Sequence, residues 1–217
     1  MASRLMHLAI SREMLRQRHL GDFDRFFLGS ILPDACGPGV KSDESHLKFR
    51  LKNGSQTSYR LSAFRAAFSR ELKQKDGLYL GYYFHLVQDL LYRNFIYKDC
   101  GWSSRIPGYV EKLHHDYVLL NSHLVRGYEI PRHIVLPEAF DQEPVCSLFP
   151  FQARWMLEEL EKDFSNAGHP EEKPYFFTET LADEYIGRAV EFCIIEADAL
   201  DRGYSLIDEA AWAWDSP

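Results

Sequence analysis

The chain has 217 residues, 46% of them apolar and 26% charged, with a formal charge of −7. That length supports a sizeable buried core, and the acidic balance disfavours a general nucleic-acid binder, which needs a basic surface. No apolar run reaches the roughly 18 residues a membrane-spanning helix requires, so no transmembrane segment is expected.

The four cysteines, Cys36, Cys100, Cys146 and Cys193, form no C-x-x-C pair, which argues against a zinc knuckle or a redox motif. Met1 to Ile10 carries no secretory pattern, so a cytoplasmic protein with free thiols is expected. In chain order, residues 2 to 19 predict a helix with Leu5, Leu8, Ala9, Met14 and Leu15 as its apolar stripe and His7 beside that stripe. Gly21 ends it, Asp22 caps a second helix from Phe23 to Leu32, and Pro33 stops that one, leaving Asp34 just past its end. Cys36 to Gln56 reads as an irregular loop carrying His46, with Asn53 and Gly54 among its turn residues. A helix from Ser58 to Gln74 follows, with Leu61, Phe64, Ala67, Phe68 and Leu72 inward. Asp76-Gly77 breaks it before a largely apolar helix from Leu78 to Tyr97.

Cys100 to Pro107 reads as a linker and Tyr109 to Val125 as another helix. Glu129 to Pro150 has four prolines and reads as extended or turn-rich; any domain boundary would fall there. Phe151 to Phe164 is an amphipathic helix with an acidic face, and Asn166 to Lys173 a solvated turn region. Thr178 caps a last helix to Leu200, and the tail holds Trp212 and Trp214, which pack back or dock on a partner. No hairpin signal and no internal repeat stand out. The expected architecture is all-α, one compact bundle of six or seven helices spanning residues 1–217.

Within the central helix, G-Y-Y-F-H-L-V-Q-D-L-L places His85 and Asp89 four residues apart, on one face among apolar neighbours. A carboxylate is seldom buried alone, because removing its water costs several kcal/mol unless a partner or a metal replaces it. His7, Asp34 and His46 each come from an element with a reason to face inward. Singly, each has an ordinary explanation: a core histidine, a turn aspartate, a loop histidine. Together they supply the nitrogen and oxygen donors that zinc, manganese or iron takes, and two-metal hydrolase sites draw such donors from several elements around a bridging carboxylate. Asp89 is the expected bridge.

The runs M-H-L-A-I, F-L-G-S-I-L-P-D-A, S-H-L-K-F and Y-F-H-L-V-Q-D resemble the zinc-dependent phospholipase C family, in particular its short bacterial members. The resemblance covers about residues 1 to 97. It implies an all-α bundle of the phospholipase C or nuclease P1 type, with His7, Asp34, His46, His85 and Asp89 as metal ligands and phosphodiester hydrolysis as the reaction. The family's histidine soon after H-x-x-x-D and its later H-x-x-x-E have no counterpart here. One or two ions, rather than three, are therefore expected, with a small-molecule phosphoester or a lipid headgroup as substrate.

The run His114-His115-Asp116 admits other readings. His115-Asp116 resembles the paired ligands of the HD phosphohydrolases, with Asp183 or Asp198 as a later carboxylate. His115 is alternatively a catalytic group beside Asp89, with Asp116 and Asn121 lining the cleft, or the run is simply a helix face. Tyr82 and Tyr92 flank the H-x-x-x-D pair, as core residues or as cleft lining. The rival from another class is a non-catalytic helical module that binds partners through the acidic helix and the tryptophan tail. No G-x-S-x-G, P-loop, G-x-G-x-x-G or H-E-x-x-H occurs, which removes the corresponding hydrolase, nucleotide and protease readings.

Overall fold

A computed structural model describes residues 2–52, 54–166 and 172–215. In chain order the helices are α1 (Arg4–Gln17), α2 (Phe23–Gly29), α3 (Leu61–Ala67), α4 (Ser69–Lys73), α5 (Gly77–Asn94), α6 (Tyr109–Gly127), α7 (Ala153–Ser165) and α8 (Glu179–Asp201). The strands are β1 (Lys48–Arg50), β2 (Gln56–Tyr59) and β3 (Trp214–Asp215). The protein is mostly helical, and none of the described helices is long and apolar enough to cross a membrane.

α5 is the axis. The Asp76 carboxylate caps it by accepting from the Leu78 N–H, and every residue from Gly77 to Leu90 is buried. A helix apolar around most of its circumference must be enclosed on all sides, and α1, α2, α3, α8 and β2 enclose this one. The approach of α2 is the closest. Gly29, Gly77 and Gly81 let the two backbones touch, because a Cβ at Gly81 would meet the Phe26 carbonyl oxygen and one at Gly29 that of Leu78. This contact carries the end of α2, and the 3₁₀ turn Leu32–Asp34 beyond it, onto the middle of α5.

Two expectations are corrected. The segment Ser58 to Gln74 is not one helix: Thr57, Ser58 and Tyr59 are buried strand residues, and Arg60 (φ −81°, ψ 66°) lies outside the helical region. Phe68 (φ −115°, ψ 33°) then separates α3 from α4, its ring held by Phe64 and Tyr79 at centroid distances of 4.8 and 5.1 Å. Packing of these rings overrides the helical pattern, and the helices number eight among the described residues.

Second, a hairpin exists. β1 and β2 pair antiparallel, with Phe49 opposite Ser58, and β3 adds to β2 with Trp214 opposite Thr57. Strands this short carry too few residues for alternation to show. The tail takes the first of its two expected readings and packs back. Trp214 is buried 5.0 Å from the Tyr59 ring, and Trp212 lies 5.1 Å from that of Phe192.

The proline-rich stretch sends Ile130, Ile134, Phe140 and Val145 into the same buried cluster as α1, α5 and α8. Much of the expected turn at Asn166 to Lys173 lies outside the described residues.

Candidate metal centre

The five sequence candidates converge. Ser3 caps α1 by accepting from the Met6 N–H, and α1 buries His7. The turn after α2 brings Asp34, the loop before β1 brings His46, and α5 brings His85 and Asp89 on one face. His7, His46, His85 and Asp89 are at most 1% exposed. His7, His85 and Asp89 form one group of donors and Asp34, His46 and His85 another, with the donor atoms of each within 4.8 Å of one another.

Each imidazole is pinned through Nδ1. His7 Nδ1 donates to Gln88 Oε1 (2.7 Å), His85 Nδ1 to the Ser30 carbonyl (2.8 Å) and His46 Nδ1 to the Ser42 carbonyl (2.8 Å). Such an outer partner selects the tautomer and turns the other nitrogen inward. The Nε2 atoms accordingly face one another and the carboxylates. His46 Nε2 is 3.1 Å from His85 Nε2, 3.4 Å from Asp34 Oδ1 and 3.6 Å from Asp89 Oδ2; His7 Nε2 is 3.5 Å from Asp89 Oδ1. His7 Nε2 and Asp34 Oδ1 are buried without a hydrogen-bond partner.

Buried acceptors turned toward each other repel unless a proton or a cation lies between them. Donors sharing one tetrahedral ion at about 2.0–2.2 Å stand roughly 3.3 Å apart, so the observed 3.1–3.6 Å separations suit a common cation. Without an ion, protons take its place. Burial lowers the pKa of His7, but the Asp89 carboxylate beside it outweighs this and holds the value up. His85 is pushed down to about 3 by burial and by the neighbouring His7. Burial raises Asp34, yet His46 beside it and the surrounding imidazoles bring it to about 2. Asp89 lies well below the usual carboxylate range because His7 and His85 more than offset its burial. Both carboxylates are thus ionised, and His85 is neutral, as ligands must be.

The two oxygens of Asp89 have different neighbours: Oδ1 faces His7, and Oδ2 faces His46 and, at 4.0 Å, His85. The Ala2 N–H donates to Oδ1 (3.1 Å) and the Tyr59 hydroxyl to Oδ2 (3.3 Å). The site opens at His46 and Tyr59 into a cavity of about 320 Å³.

Comparisons with family models, curated proteins and solved structures found no match. The functional reading therefore rests on the site's own geometry and on the motif resemblance.

The remaining candidates separate. Tyr82 is fully buried, its hydroxyl donating to the Ser45 carbonyl, and it braces the His46 loop without lining the cavity. Tyr92 lines the cavity, with its hydroxyl on that of Tyr117. His115 belongs to neither donor group and pairs at the surface with Glu172, 2.7 Å away. Asp116 is fully buried, so it neither faces water nor lines the cleft: its carboxylate accepts the backbone N–H groups of Tyr175, Phe176 and Phe177, each at 2.8 Å. Asn121 donates to the carbonyls of Asp163 and Asn166 and braces α7 against α6. Asp183 accepts from His123 Nε2 (2.8 Å), and Asp198 pairs with Arg18; neither belongs to the donor groups.

Asp116→Ala strands three backbone donors, for an expected loss of about 2–4 kcal/mol of stability. Metal content per chain should not change. Chemical denaturation alongside elemental analysis checks both; loss of metal in a folded variant would instead favour the HD-type arrangement.

Sequence reasoning overlooked Gln88 and Tyr59. Gln88 sits inside H-L-V-Q-D and was readable as a polar residue on a buried helix; Tyr59 required the unseen hairpin.

Proposed function

We propose that the protein is a metal-dependent hydrolase of phosphoesters or phosphodiesters, of the zinc-dependent phospholipase C kind, with one or two ions held by His7, Asp34, His46, His85 and Asp89. The observation that carries this reading is the set of three Nδ1-anchored histidines whose Nε2 atoms gather around the buried Asp89 and the part-buried Asp34 carboxylates. The nitrogen and oxygen donor set suits zinc, with manganese or iron as alternatives. When bound, such a cation supplies Lewis acidity, lowering the pKa of a water toward neutrality and offsetting charge on the phosphoryl oxygens.

The chain's own residues do the rest. Gln88, Ser42 and the Ser30 carbonyl hold the imidazole planes, and Tyr59 and the Ala2 N–H hold the two oxygens of Asp89 in separate directions. Burial excludes bulk water from the ligands, and the cavity beside His46 gives substrate one side of approach. A small soluble phosphoester or a lipid headgroup fits this cavity, whose volume is at the low end for ligand pockets. A reducing, cytoplasmic setting belongs to the same reading, supported by four cysteines that form no disulfide.

Elemental analysis of protein purified without a metal-binding tag should find zinc, manganese or iron. Phosphodiester and phosphomonoester hydrolysis should fall on chelation and return on metal addition. Less than about half an equivalent of metal per chain after reconstitution would end the metal reading. Full loading without hydrolysis of any phosphoester would favour the non-catalytic module.

A further inference from the structure

Arg93 stands four residues beyond Asp89, so His85, Asp89 and Arg93 follow one stripe of α5. Its guanidinium lines the cavity beside the metal ligands. It donates through Nη1 to the Tyr97 hydroxyl (2.5 Å) and shares the cavity wall with Tyr59, the residue that holds Asp89. Its Nε is buried and has no hydrogen-bond partner among the described residues. No carboxylate forms an ion pair with it there.

The other charged groups of this cavity cancel. Lys48 and Asp43 pair with each other at 2.9 Å, and burial lowers the pKa of His114, favouring its neutral form. Arg93 therefore sets the sign of the cavity. Its aromatic walls resemble a site for a quaternary ammonium group, but the arginine already lies over the face of Tyr97 (5.6 Å), and Tyr97 in turn stacks on Trp102 (5.9 Å). A second cation beside them would be repelled by Arg93. A guanidinium with an unused N–H suits a carboxylate or a phosphate, which accepts paired hydrogen bonds.

We infer that this cavity selects the part of the substrate beyond the scissile phosphate, and that Arg93 requires that part to carry a negative charge. The inference rests on the proposed hydrolase reading and narrows it to phosphoesters with a second anionic group, with phosphocholine-type esters disfavoured. A soluble metabolite and an anionic lipid headgroup share that chemistry.

Two non-hydrolysable probes, phosphonoacetate and 2-aminoethylphosphonate, share a phosphonate and differ in the sign of the tail. Calorimetric titration into zinc-loaded protein should show phosphonoacetate binding at least about tenfold more tightly. Arg93→Gln should abolish that preference and Arg93→Lys retain part of it, with zinc per chain unchanged in both. Equal affinities in the unaltered protein would overturn the inference, and need no variant to fold; so would a preference surviving in Arg93→Gln. If the protein takes up no zinc, the hydrolase reading fails, and the same affinity ratio on metal-free protein judges the anion preference by itself. Where the preference holds, co-sedimentation with phosphatidic acid vesicles but not phosphatidylcholine vesicles assigns the charge to a lipid. Its absence assigns the charge to a soluble ester.

Discussion

Asp89→Asn is expected to cut metal content by at least about tenfold, the range for disrupting a metal site's supporting shell being 10–100-fold. The substitution is nearly isosteric but removes a carboxylate whose two oxygens face different parts of the cluster, Oδ1 toward His7 and Oδ2 toward His46 and His85. An amide cannot present acceptors in both directions, and its N–H₂ would be turned toward an imidazole lone pair or toward the Ala2 and Tyr59 donors. Phosphoester hydrolysis should fall with the metal. A ligand that binds only the folded state at a thousand times its dissociation constant adds about 4 kcal/mol to stability. Adding zinc should therefore raise the melting temperature of the unaltered protein and leave that of Asp89→Asn nearly still. Elemental analysis and thermal denaturation with and without metal test this. A variant that keeps full metal would remove Asp89 from the ligand set.

Gly81→Ala should be strongly destabilising. The added Cβ meets the Phe26 carbonyl oxygen and the Ser30 backbone nitrogen, and backbone atoms inside two packed helices cannot turn aside as a side chain would. Overpacking of this kind costs typically 1–3 kcal/mol and more where relaxation is blocked, so a loss of about 3 kcal/mol or outright misfolding is expected. The same shift would move the Ser30 carbonyl off His85 Nδ1, so whatever folds should bind metal less tightly. Gly127→Ala is the control, since a Cβ there meets nothing within 4 Å. Equilibrium denaturation of the two variants separates them; equal stability would mean that α2 and α5 do not touch backbone to backbone.

Much of the site was legible as residue types in a pattern. H-x-x-x-D within an apolar helix signals a buried polar face, since a lone carboxylate there is too costly to be incidental. Asp34 was placed by the proline that ends the preceding helix, and His7 by its position beside an apolar stripe. Arg93 continues the same four-residue spacing and was available to the same reasoning. The run His115-Asp116 misled because adjacency in sequence says nothing of direction on a helix. Asp116 turns inward to cap the segment before α8, and His115 turns outward to Glu172.

By itself, then, the sequence determined the helical character, the caps at Asp22 and Thr178, and the donors that could meet a metal, because these follow from local periodicity and side-chain chemistry. Only the tertiary structure decided the hairpin, the tail strand and the backbone contact at Gly29 and Gly81. It also decided which carbonyls anchor each Nδ1 and that Tyr59 reaches Asp89. Each of these joins residues far apart in the chain, and what selects them is burial and hydrogen-bond satisfaction in the assembled core, which no local pattern encodes.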